Sequence, residues 1–196
     1  TISGVKNPEG PADPIVCHPD VRKMLLTQRV IAEGSRAMVC YASQFADLYT
    51  SAKTKKEQEY GESRLGFCTP ILKGFITEQG VIAANYGVQV FGGHGYIKEW
   101  GMEQILRVSR IATIYEGTTG IQALDLLGRK MLLGKFKSFN VYADKVAEFT
   151  KATKRPEMKK FIKTLKRSML GWKINNYRIA FKASKNRDMV GSASVD

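Results

Sequence analysis

Apolar residues recur at three- and four-residue steps along much of the chain, which is the period of an α-helix facing a core. The first such stretch begins at Asp20, and no proline interrupts it before Pro70. Its apolar positions are Val21, Leu25, Val30, Ile31, Met38, Tyr41 and Phe45. The pattern predicts a long helix to about Ala52. Its cap is expected at His18 or Asp20 with Pro19 in the first turn, where a missing N–H matters least.

A second helical stretch is predicted after a polar, charged turn at Lys53–Glu59, and it ends near Val90. The short connection implies that the two helices lie antiparallel. Pro70 falls inside the second stretch and removes a backbone donor while crowding the preceding turn. We therefore expect a kink or break around Cys68–Thr69.

Two further helices are predicted beyond a glycine-rich loop. The first is short and covers Met102 to Ile111, and a turn follows at Thr113–Thr119. The next runs from Thr119 to Leu133 and stops at Gly134. Its expected buried stripe is Ile121, Leu124, Leu127, Met131 and Leu132. Together these stretches predict an all-α fold built on an antiparallel four-helix bundle.

Beyond Lys135, apolar and aromatic residues recur on strongly basic helices. They are Phe136, Phe139, Val141, Val146, Phe149, Phe161, Leu165, Met169, Trp172, Ile179 and Phe181. This pattern predicts a second helical unit, which the end of the chain interrupts. Residues 1–19 are rich in glycine and proline, as in a linker. The expected division is a linker over 1–19, a helical bundle over 20–134 and an extra helical region over 135–196.

The net charge of +13 is concentrated in the last third of the chain. The segment from Arg129 to Arg187 contains eighteen Lys and Arg residues but three acids, whereas the rest of the chain has a slight excess of acids. A surface of this kind attracts polyanions such as nucleic acid, an acidic protein or the phosphates of coenzyme A. It is also compatible with an ordinary solvated helix face.

The cysteines and the hydropathy of the chain argue against a disulfide-bonded, a zinc-binding and a membrane-spanning protein. Cys17, Cys40 and Cys68 are odd in number and widely spaced, which indicates reduced thiols in a cytosolic setting and no zinc site. Cys17–His18 is the one metal-like pair, and no second pair completes a ligand set, so we predict no metal. No apolar run approaches the roughly 18 residues of a membrane span, and no membrane partner is expected.

The chemistry is concentrated between Gln89 and Gln122. The loop Gln-Val-Phe-Gly-Gly-His-Gly-Tyr places Gly92, Gly93 and Gly95 where the backbone can turn at positive φ and come close to a ligand. Some twenty residues later comes Ile-Tyr-Glu-Gly-Thr-Thr-Gly-Ile-Gln, in which Glu116 is the only acid between Gln104 and Leu124. A carboxylate in such surroundings is a candidate base.

These two motifs together resemble the C-terminal helical domain of the acyl-CoA dehydrogenase family, which has a Gln-x-x-Gly-Gly-x-Gly loop and a Tyr-Glu-Gly-Thr turn. The wider similarity runs from His18–Arg22 to Gly128–Lys130 and is greatest to the larger bacterial branch of the family. The resemblance implies an FAD-dependent oxidoreductase of fatty-acid β-oxidation that converts an acyl-CoA thioester to its trans-2-enoyl product.

The resemblance also implies roles for individual residues. Glu116 would be the base that removes the α-proton, and Tyr115 and Gly117 would contact the substrate. The remaining site residues would bind FAD, the first four from a neighbouring subunit: Gln89, Gly92, Gly93, Gly95, Thr118 and Gln122. His94 is taken as structural and is left out of the catalytic set. Implied partners are an acyl-CoA, further copies in a dimer or tetramer, and an electron-transfer flavoprotein.

The resemblance leaves several points open. Val108 stands where the family usually has Asp, so Arg107 and Arg110 are expected to lack their nearest carboxylate. We expect the chain to be a fragment without the family's N-terminal helical and middle β domains, and we expect that fragment to be inactive by itself. The setting implied is bacterial cytoplasm, or the mitochondrial matrix in a eukaryote. The alternatives are an acyl-CoA oxidase, a nucleic-acid-binding helical module and a structural oligomerisation bundle.

Overall fold

The computed structural model describes residues 9–10, 12–186 and 188–193, and all regular structure among them is helical. Most of the predicted linker, residues 1–8 and 11, lies outside that range, as does the end of the chain. The α-helices are α1 (Pro19–Ser51), α2 (Lys55–Ile71), α3 (Thr77–Phe91), α4 (Gly93–Tyr96), α5 (Met102–Ile111), α6 (Thr119–Leu124), α7 (Lys137–Ala152), α8 (Lys159–Ala183) and α9 (Asp188–Ala193). The all-α prediction is confirmed.

Short 3₁₀ turns and two π-helical segments precede or connect these helices. Single 3₁₀ turns occur at Ile15–Cys17, Lys98–Trp100 and Pro156–Met158. Two segments have the wider π-helical pattern, Leu72–Ile76 between α2 and α3 and Asp125–Leu133 after α6. The chain divides into two compact units. The first comprises Thr1–Cys40 and Phe75–Tyr115, and the second comprises Tyr41–Gly74 and Glu116–Asp196. The predicted division at Gly134 stays a prediction.

The first unit is held together around α3. The side chain of Gln28 donates a hydrogen bond to the carbonyl of Ala83 at 2.8 Å, which joins α1 to α3. A Cβ at Gly87 would lie 2.2 Å from the terminal methyl of Met102, so the absence of a side chain there lets α5 approach α3 closely. As predicted, α5 covers Met102 to Ile111.

In the second unit, the end of α1 packs antiparallel against α2. The crossing is tightest at Gly61, where a Cβ would lie 2.6 Å from the backbone N of Tyr49 and 2.8 Å from the carbonyl O of Phe45. The connecting turn is shorter than the Lys53–Glu59 turn that we predicted. Thr54 caps α2 by accepting a hydrogen bond from the N–H of Glu57, so the helix already begins at Lys55.

The predicted irregularity near Pro70 is displaced along the chain. The helix stays regular through Cys68–Thr69 as far as Ile71, and the expected break at those two residues is wrong. The backbone instead widens into the π-helical segment Leu72–Ile76, whose first N–H bonds to the carbonyls of both Cys68 and Thr69. The helix is therefore irregular in the residues that follow Pro70 and not in those that precede it.

The main core of the second unit forms around the fully buried Phe67. Its buried members are Phe67, Leu127, Met131 and Phe139, with Met169, Trp172 and Ile179 packed against them. Residues from α2, the Asp125–Leu133 segment, α7 and α8 therefore share one core. A smaller cluster of Ala42, Phe45 and Cys68 lies between α1 and α2.

Part of the buried stripe that we predicted for Thr119–Leu133 is wrong. Leu127 and Met131 are buried, but Ile121 is 57% exposed and Leu124 is 42% exposed. The prediction assumed one regular helix from Thr119 to Leu133. Because a π-helical turn holds more residues than an α-helical turn, the change at Asp125 alters which positions share a face.

Arg64 is a buried cation without a carboxylate partner among the described residues. Its side chain is 1% exposed, and one terminal nitrogen donates to the carbonyl of Ser138 at 2.8 Å. The guanidinium carbon lies between 5.3 and 5.9 Å from the ring centres of Phe45, Phe67 and Tyr142. These aromatic faces stabilise the positive charge electrostatically in the absence of an acid.

Replacing Gly61 with alanine is expected to separate α1 from α2. The new methyl group collides with backbone atoms that cannot move independently, so Gly61→Ala should lower the free energy of unfolding by about 1–3 kcal/mol. Gly171→Ala is the matched control, because α8 leaves open space there. It should stabilise the protein by about 0.4–1 kcal/mol by restricting the unfolded chain. Urea denaturation followed by tryptophan fluorescence measures both, and equal effects would contradict the close approach.

Cys40 and Cys68 are expected to differ in reactivity. Burial raises the pKa of the Cys68 thiol, although Arg64 opposes that rise, so less of the reactive thiolate exists near neutral pH. Cys40 is exposed. Iodoacetamide at pH 7.5 should therefore alkylate Cys40 at least ten times faster than Cys68. Peptide mass spectrometry measures the two rates, and denaturant should remove the difference. Equal rates in the native protein would contradict the buried position of Cys68.

Candidate active site

The chain turns sharply between α5 and α6, where we predicted a turn. Thr119 begins α6, and the hydroxyl oxygen of Thr118 accepts a hydrogen bond from the N–H of Ile121 at 3.4 Å. This is a normal N-cap, in which a short polar side chain satisfies one of the free amides of the first turn. The turn thus ends at a fixed point on α6.

Glu116 occupies an unusual backbone conformation in this turn. Its φ is +54°, in the left-handed region that residues with a Cβ rarely adopt, and Gly117 follows with φ of +94°. A left-handed conformation costs a residue such as glutamate about 1–2 kcal/mol. The Glu116 side chain is exposed, so the described residues do not supply the dry pocket that a base of this type needs.

Two side chains bind the consecutive carbonyl groups of this turn. The side-chain amide of Gln122 donates to the carbonyl of Glu116 at 3.3 Å. The ammonium of Lys73 donates to the carbonyl of Gly117 at 3.1 Å. Lys73 belongs to the π-helical segment Leu72–Ile76, and Gln122 belongs to α6.

The glycines at this point allow the close packing. A Cβ on Gly117 would lie 2.7 Å from the side-chain nitrogen of Gln122, so any side chain there would displace that amide. Gly74 faces α6, and a Cβ there would lie 3.7 Å from the Cβ of Gln122. The π-helical segment and α6 are therefore in direct contact beside the turn.

A cleft of about 400 Å³ opens next to Gln122 in the second unit. Its lining residues are Gly66, Thr69, Pro70, Ile121, Gln122, Asp125, Arg129 and Lys130. Arg129 forms an ion pair with Asp125 one turn earlier, while Lys130 brings a second positive charge to the same cleft. The cleft therefore has an excess of positive charge, which suits an anionic group.

The glycine-rich loop lies in the first unit, at the end of α3. Gly92 has φ of +60°, and its N–H bonds to the carbonyl of Gln89 at 3.0 Å. No atom lies within 4 Å of a Cβ built on Gly92 or Gly93, so their backbone is open to an approaching molecule. Gly95 differs, because a Cβ there would lie 2.4 Å from the carbonyl O of Val88. Its lack of a side chain is explained by packing on α3.

The residues around this loop form an apolar groove. The imidazole of His94 packs edge-on against Trp100 at 5.0 Å, in keeping with a structural role. Beside the loop, a groove of about 690 Å³ is lined by Val81, Val88, Tyr96, Glu103, Leu106, Arg107, Arg110, Ile111 and Ile114. Tyr115 is half exposed at the end of this unit.

The two arginines beside Val108 have other partners. We predicted that Val108 leaves Arg107 and Arg110 without their nearest carboxylate. The structure places Glu103, one turn earlier on α5, 3.7 Å from the guanidinium of Arg107. Arg110 instead donates to the hydroxyl of Thr113. Glu103 thus gives Arg107 a carboxylate partner one helical turn away, although position 108 has no acid.

The structure therefore brings the predicted site residues into two groups. Glu116, Gly117, Thr118 and Gln122 lie together in the second unit, whereas Gln89, the three loop glycines and Tyr115 belong to the first. Lys73 was not predicted, because it contacts the turn across 44 residues and carries no motif of its own. In the described part of the chain, no group of three or more His, Cys, Asp or Glu side chains is arranged for a metal, and no helix is long and apolar enough to cross a membrane.

Comparison with known proteins adds independent information. The chain is 44% identical over 136 residues to a 3-methylmercaptopropionyl-CoA dehydrogenase from Ruegeria pomeroyi, covering 69% of this chain and 23% of that protein. It is 32% identical over 151 residues to a butyryl-CoA dehydrogenase from Syntrophomonas wolfei, covering 77% and 25%. A broad-specificity linear acyl-CoA dehydrogenase from Mycobacterium tuberculosis is 33% identical over 140 residues, covering 69% and 22%. The chain thus spans about a quarter of the length of these relatives.

The family model for the acyl-CoA dehydrogenase C-terminal domain matches residues 1–132. That range is about two thirds of the chain and contains both the glycine-rich loop and the Glu116 turn. The chain therefore belongs to the acyl-CoA dehydrogenase family, as a member with its C-terminal helical domain.

Proposed function

We propose that this chain is the C-terminal part of an FAD-dependent acyl-CoA dehydrogenase, in which Glu116 is the base. The reaction is α,β-dehydrogenation of an acyl-CoA thioester to the trans-2-enoyl-CoA. The observation that carries the proposal is the Glu116–Gly117 turn, which presents a carboxylate from a fixed, left-handed backbone. Membership of the family supports it, because the similar proteins are acyl-CoA dehydrogenases by name.

The first task of the site is to remove a weakly acidic proton. Glu116 would accept the α-proton of the thioester, while the electron pair of the C–H bond forms the new double bond as hydride leaves the β-carbon. A carboxylate does this well when it is positioned within hydrogen-bond reach of the proton and shielded from water. Because Glu116 is exposed here, substrate, cofactor or other parts of the protein would supply the shielding.

The second task is to polarise the thioester carbonyl. A backbone N–H donor near the developing negative charge would lower the barrier. The Gly117 backbone has the freedom to present such an amide, since it is a glycine at φ of +94°. Tyr115, which is half exposed just before the base, would contact the acyl chain or the flavin edge.

The third task is to bind the cofactor, and the chain offers suitable groups in each unit. The open backbone at Gly92 and Gly93, together with exposed Gln89, would contact the adenosine diphosphate part of FAD from a neighbouring subunit. Gly95 would hold the loop against α3 in the correct shape. In the second unit, Thr118 and Gln122 would reach the flavin or its phosphates beside the basic cleft. Bound FAD would supply the hydride acceptor that no side chain provides.

Several properties of the whole protein follow from this proposal. Sharing of FAD between subunits requires a homo-oligomer, either a dimer or a tetramer. Electrons would pass from the reduced protein to an electron-transfer flavoprotein, and the setting would be the bacterial cytoplasm. The chain alone would be inactive, because a site shared among domains and subunits is incomplete without the others.

The role of Glu116 is tested by an anaerobic titration of the full-length protein with acyl-CoAs of several lengths. The wild-type flavin absorbance should bleach, and the length that reduces it fastest identifies the preferred substrate. Glu116→Gln should slow bleaching by about a thousandfold or more, because the amide cannot accept the α-proton and general-base catalysis contributes about 10²–10⁴.

The matched control is Glu62→Gln, an exposed acid on α2 in the same unit. It should reduce flavin at the wild-type rate. Flavin content must be equal in all three proteins, as measured by the absorbance of released FAD. Bleaching at the same rate in wild type and Glu116→Gln would mean that another group is the base.

A further inference from the structure

The Glu116 turn has a feature that its proposed role as a base does not by itself explain. A glutamate at φ of +54° is strained, and such a conformation persists only where its surroundings impose it. The neighbouring Gly117 relieves strain at its own position but adds freedom to the backbone. Something else must hold the turn in one conformation.

Two contacts restrain consecutive peptide groups of this turn. Gln122 binds the carbonyl of Glu116, which fixes the peptide plane between Glu116 and Gly117. Lys73 binds the carbonyl of Gly117, which fixes the next plane. Because peptide groups are planar, fixing both carbonyls restricts the rotation of Gly117 and holds one of the two peptide planes that flank the Cα of Glu116.

We propose that Lys73 and Gln122 are positioning residues, which hold the Glu116 carboxylate at the reacting carbon by binding the carbonyl oxygens of Glu116 and Gly117. This inference rests on the proposed role of Glu116 as the base. The orientation of the first plane also directs the N–H of Gly117 away from Gln122, because the N–H and C=O of a trans peptide point in opposite directions. One contact therefore orients both the carboxylate and a candidate donor for the thioester.

The two donors are suited to this task in different ways. The contact from Lys73 is charge-assisted, and such hydrogen bonds are stronger than those between neutral groups. Gln122 carries two N–H donors, so binding the Glu116 carbonyl leaves a second donor and its own carbonyl for the cleft beside it. Gln122 can thus hold the turn and still contact a ligand.

The test uses the full-length protein with FAD and compares Lys73→Met, which removes the donor and keeps the length, with Lys73→Arg, which keeps a donor. Lys73→Met should slow flavin reduction at saturating acyl-CoA by about tenfold or more, as expected for loss of a hydrogen bond to a charged group. Flavin content and the Kd of the acyl-CoA should stay within about twofold, because the residue acts through the turn. Lys73→Arg should recover most of the rate.

Gln122→Met gives the second arm. It should slow flavin reduction in the same way, whereas an effect confined to FAD content would make Gln122 a cofactor ligand only and overturn its positioning role. Lys56→Met is the matched control, an exposed lysine in the first turn of α2 that should leave rate and flavin content unchanged.

A double variant and a measurement without turnover separate this inference from the proposed function. In a Glu116→Gln background, Lys73→Met should cause no further loss, since a positioning residue has nothing left to position. Hydrogen exchange of residues 115–119 should be at least tenfold faster in Lys73→Met than in wild type and near normal in Lys73→Arg. Unchanged exchange would overturn the positioning role. Fast exchange together with a fully active Glu116→Gln would instead refute Glu116 as the base.

Discussion

The packing of Phe67 is the contact on which the proposed site depends. Its side chain is 1% exposed and lies in one core with Leu127. That core holds α2 against the segment after α6, and each element leads directly to a residue that binds the Glu116 turn. Lys73 follows Phe67 on one side, and Gln122 precedes Leu127 on the other. The hydrophobic core therefore sets the positions from which two polar side chains reach one strained turn.

Both elements that meet at the turn change from α-helical to π-helical pattern close to it. The segment Leu72–Ile76 contains Lys73, and the segment Asp125–Leu133 begins three residues after Gln122. π-helical segments are rare and occur often at functional sites, because they redirect side chains without ending the helix. At Leu72–Ile76 the change begins two residues after Pro70, which has no N–H to donate within the helix. Pro70 also lines the cleft beside Gln122, so it lies next to the candidate site itself.

The all-α class, the turn before α6 and the bounds of α5 could be predicted from the sequence, because each depends on local signals. Glu116 was proposed as the base from its motif, and that role stays a prediction. The contacts that hold the turn were beyond sequence reasoning, since Lys73 meets Gly117 across 44 residues and has no motif. The exposure of Ile121 was missed for a related reason. A periodic pattern assumes a constant helical pitch, and that assumption fails where the pitch changes at Asp125.

Strain alone does not distinguish the candidate active site. Lys135 and Phe136 also have positive φ, at +50° and +58°, where the chain leaves the Asp125–Leu133 segment for α7. There the explanation is internal, because the N–H of Phe136 bonds to the carbonyl of Met131 at 2.8 Å and its ring contacts Tyr177 at 5.2 Å. That turn is held by contacts with the core. At Glu116 the contacts are to the backbone carbonyls, and the carboxylate remains exposed. These contacts to the main chain hold the strained backbone, and the carboxylate stays accessible to a substrate. This combination favours a chemical role for Glu116.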